Sequence, residues 1–473
     1  GGHLRGTSMR LLLAVLLAAT SFTAQAQAQI QPQPADPARR GAERALFEKI
    51  VEIPTVAGRT AEFKRLTALL TAEFKKAGIT NVVVKDHDNT QTVIARWPAA
   101  KPSGRKPILL MAHMDVVEAK AADWKNPPFE FREEGGYYLG RGSNDNKAAL
   151  TGIVLALQNL KAAGFQPTRD IVVLFTGDEE SAGDGARRAA TEWRQLIDAE
   201  YALNGDAGGG ALYKDGRVDA FYMQIAEKTY ADFKLVATNR GGHSSRPRPD
   251  NAIDALTVAL EHVREHRFTP MINAATRAAY ESTAERDKGM FGELIKKWLK
   301  DPQDRESADL LEANDPGYTR TRCVATMLSG GHAPNALPQR AEANVNCRIF
   351  PGHKKEDVRA TLQSLSGPDV VVSIVDSSPE SDASPLRPDI LGAYRAAVAT
   401  RFKDAPVIPM MSAGATDGSY LRNAGIPVYG FGGLWGIISE QEGVHGLDER
   451  VLAEGFHGQV PIWEDMLRSL AGN

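Results

Sequence analysis

Two runs in this chain are apolar with no alternation: Ile108-Leu109-Leu110-Met111-Ala112 and Ile171-Val172-Val173-Leu174-Phe175, with a shorter one at Tyr201-Ala202-Leu203. A strand with one wet face alternates apolar and polar side chains, whereas a strand covered on both faces does not. Residues 147–163 lie between the first two runs and place Leu150, Ile153, Leu157 and Leu160 on one helical face, with Gly164 as the stop. Residues 43–50 and 61–77 also read as helices, the second through Phe63, Leu66, Leu70 and Phe74. Val82-Val83-Val84 and residues 92–96 read as strands. Helices alternating with doubly covered strands predict an α/β fold with a mostly parallel central sheet flanked by helices.

After residue 222 the texture changes. Ala231, Phe233, Leu235 and Ala237 alternate with polar neighbours, as do Ala341, Ala343, Val345, Cys347 and Ile349. Residues 321–329 form a third such strand, Asp250 is placed to cap a helix carrying Ile253, Leu256, Leu260 and Val263, and residues 270–315 are helical and highly charged. This predicts an inserted α+β unit with an antiparallel sheet. From 352 onward helices and strands alternate again, at 370–375, 390–402 and 426–431, ending in a helix over 448–470 interrupted near Pro461. The expected organisation is a first catalytic segment at 38–222, an insert at 223–351 and a second catalytic segment at 352–473.

The N-terminus reads as a targeting segment. After an upstream extension, Met9-Arg10 precedes an apolar run from Leu11 to Ala19, too short to span a bilayer, and small-x-small sites follow up to Ala28. Residues 1–28 are therefore expected to be extension and signal peptide, and 29–37 a polar linker. The mature chain is expected to be periplasmic or secreted, with no membrane span after signal removal. A formal net charge of -3 and no basic stripe exclude a nucleic-acid partner.

Chemistry collects just past the strands. His113 and Asp115 follow the first apolar run, Glu179 and Glu180 in TGDEES follow the second, and Asp206 in NGD follows the third. Asp145 in GRGSNDNK sits before the strong helix, and His445 in VHGLDER lies in a late Gly-flanked loop. Taken singly these are turn and surface residues. Taken together they fall where an open α/β sheet binds ligands, outside the carboxyl ends of its strands. A rim so rich in carboxylates repels itself unless cations sit in it. Mixed imidazole and carboxylate donors suit two Zn2+, with Mn2+ or Co2+ as alternatives.

With these residues in place the chain resembles the dinuclear zinc metallopeptidases of the glutamate carboxypeptidase, aminoacylase and succinyl-diaminopimelate desuccinylase family. The blocks that carry the resemblance are LLMAHMDVV, WKNPPFE, GRGSNDNKAAL, LFTGDEES, GGHSSRP, APNALP, NCRIFPG, GATDGSYL and VHG. The resemblance implies a catalytic domain with an inserted lid through which a homodimer forms. It implies that Asp145 bridges two metals, that His113 and Asp206 complete one site, and that Glu180 and His445 complete the other. Asp115 would orient the His113 ring and Glu179 would be the general base. His243 would stabilise the oxyanion, in dimers often from the partner subunit, while Asn335 and Arg348 would grip a small peptide or N-acyl amino acid. His332 is read as structural. A cis peptide is expected at Asp145-Asn146. Asn146, Ala148 and the GATDGS loop depart from the family's usual residues.

The two cysteines are expected to form one bridge in an exported protein. If the strands at 321–329 and 340–350 pair antiparallel with Ser329 near Arg340, Cys323 falls close to Cys347. The expected activity is hydrolysis of an amide bond by a carboxypeptidase, dipeptidase or N-acyl-amino-acid hydrolase. The competing reading is a non-catalytic peptide- or amino-acid-binding protein on the same fold. It requires loss of the base or of a ligand, and all are present. A phosphoester hydrolase would need a Gly-rich phosphate cradle, which the sequence lacks.

Overall fold

The apolar runs pair side by side. In the structure, a computed structural model that describes residues 37–472, Ile108–His113 lies between Ile171–Thr176 and Tyr201–Asn204 and is parallel to both. The expected extension and signal peptide, and all but the last residue of the expected linker, lie outside the described residues. Ile108, Leu110 and Ala112 face a core shared with Lys147–Ala162 and Ala453–Ala471. Leu109 and Met111 face a second core shared with Asp184–Ala190 and Gly418–Asn423. Each strand feeds two cores, which is why its sequence does not alternate.

These strands belong to a ten-stranded sheet. From one edge its order is Asn81–His87, Thr90–Trp97, Ile171–Thr176, Ile108–His113, Tyr201–Asn204, Val428–Gly430, Val218–Glu227, Gly209–Leu212 and Trp435–Ile437, with Val407–Ser412 pairing parallel to Val218–Glu227. A separate four-stranded antiparallel sheet runs Arg322–Gly330, Arg340–Ile349, Thr229–Thr238, Val370–Ile374. Its apolar face packs on Ala252–Glu265 and Lys355–Ser366. The fold is therefore a mostly parallel α/β layer joined to an antiparallel α+β layer.

The layers divide differently from the expected 223–351. Val218–Glu227 runs through residue 223 and stays in the large sheet to its end, and the smaller sheet starts at Thr229 after Lys228. Lys355–Ser366 and Val370–Ile374 also belong to the smaller layer, beyond residue 351, because Val358, Leu362, Val370 and Val372 complete its core. Within the expected insert, Ala274–Arg286 packs back against Val407–Ser412 and Val218–Glu227 of the large sheet. With Met290–Lys300 and Arg305–Asn314 it forms a small core around Tyr280, Ile295, Trp298 and Leu311.

Local corrections follow the same logic. Asn251 rather than Asp250 caps the helix Ala252–Glu265, its side chain accepting from Ile253 N and Asp254 N, while Asp250 pairs with Arg248. The last helix runs unbroken from Ala453 to Ala471 through Pro461, because Val460, Ile462 and Trp463 are fully buried around it. It starts later than residue 448, since Arg450–Leu452 is a strand against Tyr137–Leu139.

Cys323 and Cys347 are bonded, with their Cα atoms 4.1 Å apart. The register is Ser329 opposite Glu342, not Arg340, and a bulge between Ala325 and Met327 brings Cys323 opposite Cys347. The closed loop has a sequence separation of 24. Replacing both cysteines with serine is expected to lower stability by about 3 kcal/mol, read as a shifted urea midpoint under oxidising conditions.

Candidate metal centre

The strand ends converge on one rim. His113 ends its strand, is 1 % exposed in its side chain, and points Nε2 at Asp145 Oδ1 (3.0 Å) and Asp206 Oδ1 (3.4 Å). The other oxygen of Asp145, Oδ2, lies 3.1 Å from His445 Nε2, which is also 2.7 Å from Glu180 Oε1. One carboxylate thus faces two imidazoles, one on each side. His113, Asp145 and Glu180 offer ligand atoms all within 4.8 Å of one another, as do His113, Glu179 and Asp206.

The residues between these groups hold them in place. His113 Nδ1–H donates to the Asp115 carbonyl at 3.0 Å, which leaves Nε2 as the face turned to the carboxylates. The strand has already ended, so the turn rather than a strand pleat brings Asp115 alongside. The Asp115 carboxylate lies 3.3 Å from that ring and accepts from Glu179 N and Glu180 N. It therefore fixes the turn carrying both glutamates as well as the imidazole. Asn146 follows a cis peptide at Asp145-Asn146 and ties the backbone N–H of His113 to the Gly205 carbonyl through its side-chain amide.

Electrostatics make the site costly without cations. Burial and the neighbouring Asp206 push the Glu179 carboxyl well up, and burial also raises Asp206. Burial and Asp145 push Glu180 up to about 7. Burial alone would lower the His113 imidazole, but Asp206 and Glu179 raise it well above its ordinary value. The hydrogen bond to Asp145 raises His445 to about 9, against the opposing effect of partial burial. Asp145 is driven far down by His113 and His445 despite its burial. The acidic rim favours the protonated form of both imidazoles, a need for positive charge that divalent ions would meet, and the donors are the nitrogen and oxygen types that zinc accepts. These residues fit a metal site on donor chemistry and convergence alike. A third group, His87, Asp88 and Asp184, also falls within 4.8 Å, but Arg187 and Arg188 already neutralise Asp184.

His243, Asn335 and Arg348 lie in the other layer. His243 belongs to a two-residue strand paired with Ala336–Leu337, and its Nδ1 accepts from Ser245 N at 3.1 Å. Asn335 offers its carbonyl to Ser244 N. The Arg348 guanidinium stacks over the Tyr230 ring at 4.8 Å. The structure gathers His113, Asp115, Asp145, Glu179, Glu180, Asp206 and His445 into one cluster and leaves these three outside it.

Some residues at the cluster were missed from sequence. Asp417, in the GATDGS loop, is 5 % exposed and accepts from Thr176 Oγ1 at 2.5 Å, and burial lifts it to about 8. Lys147 is wholly buried beside Asn146 and donates to the Ile53 carbonyl at 2.6 Å. Glu449 accepts from the backbone N–H groups of Gly142, Asn144 and Asp145. Glu449 had a signal, since it lies in the same VHGLDER block as His445.

The model of peptidase family M20/M25/M40 matches residues 109–469. The human N-fatty-acyl-amino acid synthase/hydrolase PM20D1 is 26 % identical over 455 residues, covering 91 % of this chain and 88 % of its own. Carboxypeptidase S of Saccharomyces cerevisiae is 31 % identical over 280 residues, 55 % of this chain and 48 % of its own. Among solved structures, an M20 family metallo-carboxypeptidase from Sulfolobus solfataricus superposes with a TM-score of 0.65 at 17 % identity, over 90 % of this chain and 98 % of that one. Human carnosine dipeptidase 1 gives 0.62 at 14 %, over 92 % and 98 %. The match spans the strand that delivers His113, the loops that carry Asp145 and Glu180, and the turn that carries His445: this chain is a metal-dependent hydrolase and belongs to peptidase family M20/M25/M40.

Proposed function

We propose that the protein is an exported dinuclear zinc hydrolase that cleaves an amide bond next to a free α-carboxylate, in an N-acyl amino acid or at the C-terminus of a small peptide. The observation that carries this is Asp145, whose two oxygens face His113 and His445 at 3.0 and 3.1 Å. In this reading His113 and Asp206 would hold one metal and Glu180 and His445 the other, with Asp145 shared between them. Bound there, divalent cations would supply Lewis acidity that makes water a better nucleophile at neutral pH. Glu179, buried against Asp206 and His113, takes a proton from the attacking water at its carboxylate and returns it to the departing amine nitrogen. The products are a carboxylate and a free amine.

Substrate class is supported by two facts. The curated relatives are named as an N-fatty-acyl-amino acid synthase/hydrolase and as carboxypeptidases, and both substrate types present a carboxylate beside the scissile amide. Arg348, whose guanidinium carbon lies 4.8 Å from the centre of the Tyr230 ring, has the planar fork that takes a carboxylate bidentately. Asn335 is assigned to the same substrate, and His243 to the oxyanion.

In this reading the smaller layer is the lid. Since His243, Asn335 and Arg348 stand outside the cluster, they reach it by closure or from a second copy. Arg322–Gly330 is the edge strand of the smaller sheet, paired only on its Arg340–Ile349 side among the described residues, and its Val324, Met327 and Leu328 are 60–70 % exposed. Such an edge invites another strand, and we assign it to a homodimer. Leu328→Lys is expected to give a monomer by light scattering. A wild-type monomer at micromolar concentration would remove the dimer.

The function is tested by metal analysis after gentle purification and by assaying dipeptides and N-acyl amino acids with zinc, manganese and cobalt. About two equivalents of metal and chelator-sensitive hydrolysis are expected. No bound divalent metal and no such hydrolysis would falsify the reading.

A further inference from the structure

One buried carboxylate joins the loop of Asp145 to the loop of His445. Glu449 is 1 % exposed. Its Oε1 accepts from Asn144 N at 3.0 Å and from Asp145 N at 2.9 Å. Its Oε2 accepts from Gly142 N at 2.9 Å and from Arg141 Nη1 at 2.8 Å. Its own carbonyl accepts from Gly140 N at 3.0 Å. The side chain is thus fully engaged by the six-residue run that ends in Asp145, and one of those bonds is to the peptide N–H of Asp145 itself.

Arg141 closes the circuit. Its Nη2 donates to the Gly446 carbonyl at 2.8 Å, and Gly446 directly follows His445. Its guanidinium carbon also lies over the Trp124 ring, 5.0 Å from the centroid. His445 needs such help. It is 53 % exposed in its side chain and lies at φ 57°, in a loop whose Val444 and Leu447 are also exposed. No strand or helix holds it. The Glu449–Arg141 pair ties the loop of His445 to the run that ends in Asp145, alongside the bonds from Asn144 Nδ2 to Glu442 Oε2 and the Arg450 carbonyl.

We infer that Glu449 and Arg141 are positioning residues that hold Asp145 and His445 at the separation one metal requires. This rests on the dinuclear reading above. Arg141 and Glu449 are 3 % and 1 % exposed and are bonded to the ligand-carrying loops, so their effect is on metal retention. Glu449→Gln keeps the size of the side chain but replaces one acceptor oxygen with an NH2 group. That group must face either the two N–H donors at Oε1 or the N–H and guanidinium at Oε2, so two bonds are lost whichever way it turns. Outer partners of metal ligands typically affect metal affinity ten- to a hundredfold.

The test is stepwise zinc dissociation constants, measured by competition with a chromophoric chelator. In Glu449→Gln one of two zinc ions is expected to bind about 10–100-fold more weakly, and the other as in wild type. Arg141→Lys keeps a positive charge on Glu449 but gives up the bond to Gly446, and is expected to weaken the same step by a smaller factor. Glu43→Gln is the control for burial alone. Glu43 is 2 % exposed and pairs with His457 and Arg39, away from the cluster. It is expected to lower the melting temperature with both zinc constants unchanged. Wild-type zinc constants in folded Glu449→Gln, or in folded Arg141→Lys should Glu449→Gln not fold, overturn the inference. Equal weakening in Glu43→Gln overturns it too. A wild-type protein that binds no zinc overturns the proposed function instead.

Discussion

Glu179→Gln is expected to lower kcat by about 10²–10⁴-fold while both metals stay bound. In the proposed reading the two adjacent glutamates do different work, and Asp115 fixes the turn that carries both. Glu180 leans to His445 at 2.7 Å, whereas Glu179 lies 3.7 Å from His113 Nε2, farther than Asp145 or Asp206. Glu179 nevertheless shares a 4.8 Å grouping with His113 and Asp206, so geometry also allows it as a ligand. Metal content separates the two roles. A base removed leaves about two equivalents of zinc and a slow enzyme with KM little changed. A ligand removed leaves about one equivalent, and that result would reassign Glu179.

The second large effect concerns Asp145. Asp145→Asn is expected to reduce zinc to below one equivalent, bring hydrolysis to background and abolish the stabilisation that zinc gives. Each site should contribute about 4 kcal/mol at a thousandfold excess of metal over its dissociation constant, so the wild-type melting temperature should rise steeply with zinc and the variant's should not. The rise should also grow with pH. Without cations, Glu180 is raised from 4.5 to about 7 and His445 from 6.5 to about 9. A raised folded-state value means the folded chain binds more protons than the unfolded one, so these groups favour folding at low pH and lose that contribution as pH rises through those windows. Zinc replaces the protons, and its benefit is largest where they have gone. A zinc-induced shift that is equal at pH 5 and pH 8, measured by calorimetry, would count against this account.

The strand that carries His113 was legible because five consecutive apolar residues have no other home than a sheet covered twice. Asp145, Glu180 and Asp206 were legible as a set because Glu180 and Asp206 follow strands that could be read and Asp145 precedes a helix that could be read. Val218–Glu227 was not legible. Its sequence, VDAFYMQIAE, neither alternates cleanly nor runs apolar, since it sits among strands of both directions with Gln224 and Glu227 buried in hydrogen bonds to their neighbours. The same strand hid the point where one layer ends. The helices over 274–314 read as a charged insert because their exposed faces are charged, while the small cluster around Trp298 that packs them gives no local signal. Glu449 and Asp417 were missed for a common reason. Their bonds go to backbone and hydroxyl groups hundreds of residues away, so although Glu449 lies in the same block as His445 and Asp417 in GATDGS, the sequence did not show what they hold.

The order of strands in the large sheet also dictates the order of assembly. Val428–Gly430 sits between Tyr201–Asn204 and Val218–Glu227, Trp435–Ile437 extends Gly209–Leu212, and Arg450–Leu452 joins Tyr137–Leu139. The sheet is therefore interleaved from the two ends of the chain and cannot be finished until both exist. During synthesis at about 5–20 residues per second, Asp206 emerges roughly ten seconds to a minute before His445. Through that interval the chain lacks both the strand Val428–Gly430 of the sheet and the His445 imidazole that faces Asp145. Metal capture is thus a late event in the life of this molecule, and a chain shortened before residue 428 would lack the strand that closes its own core.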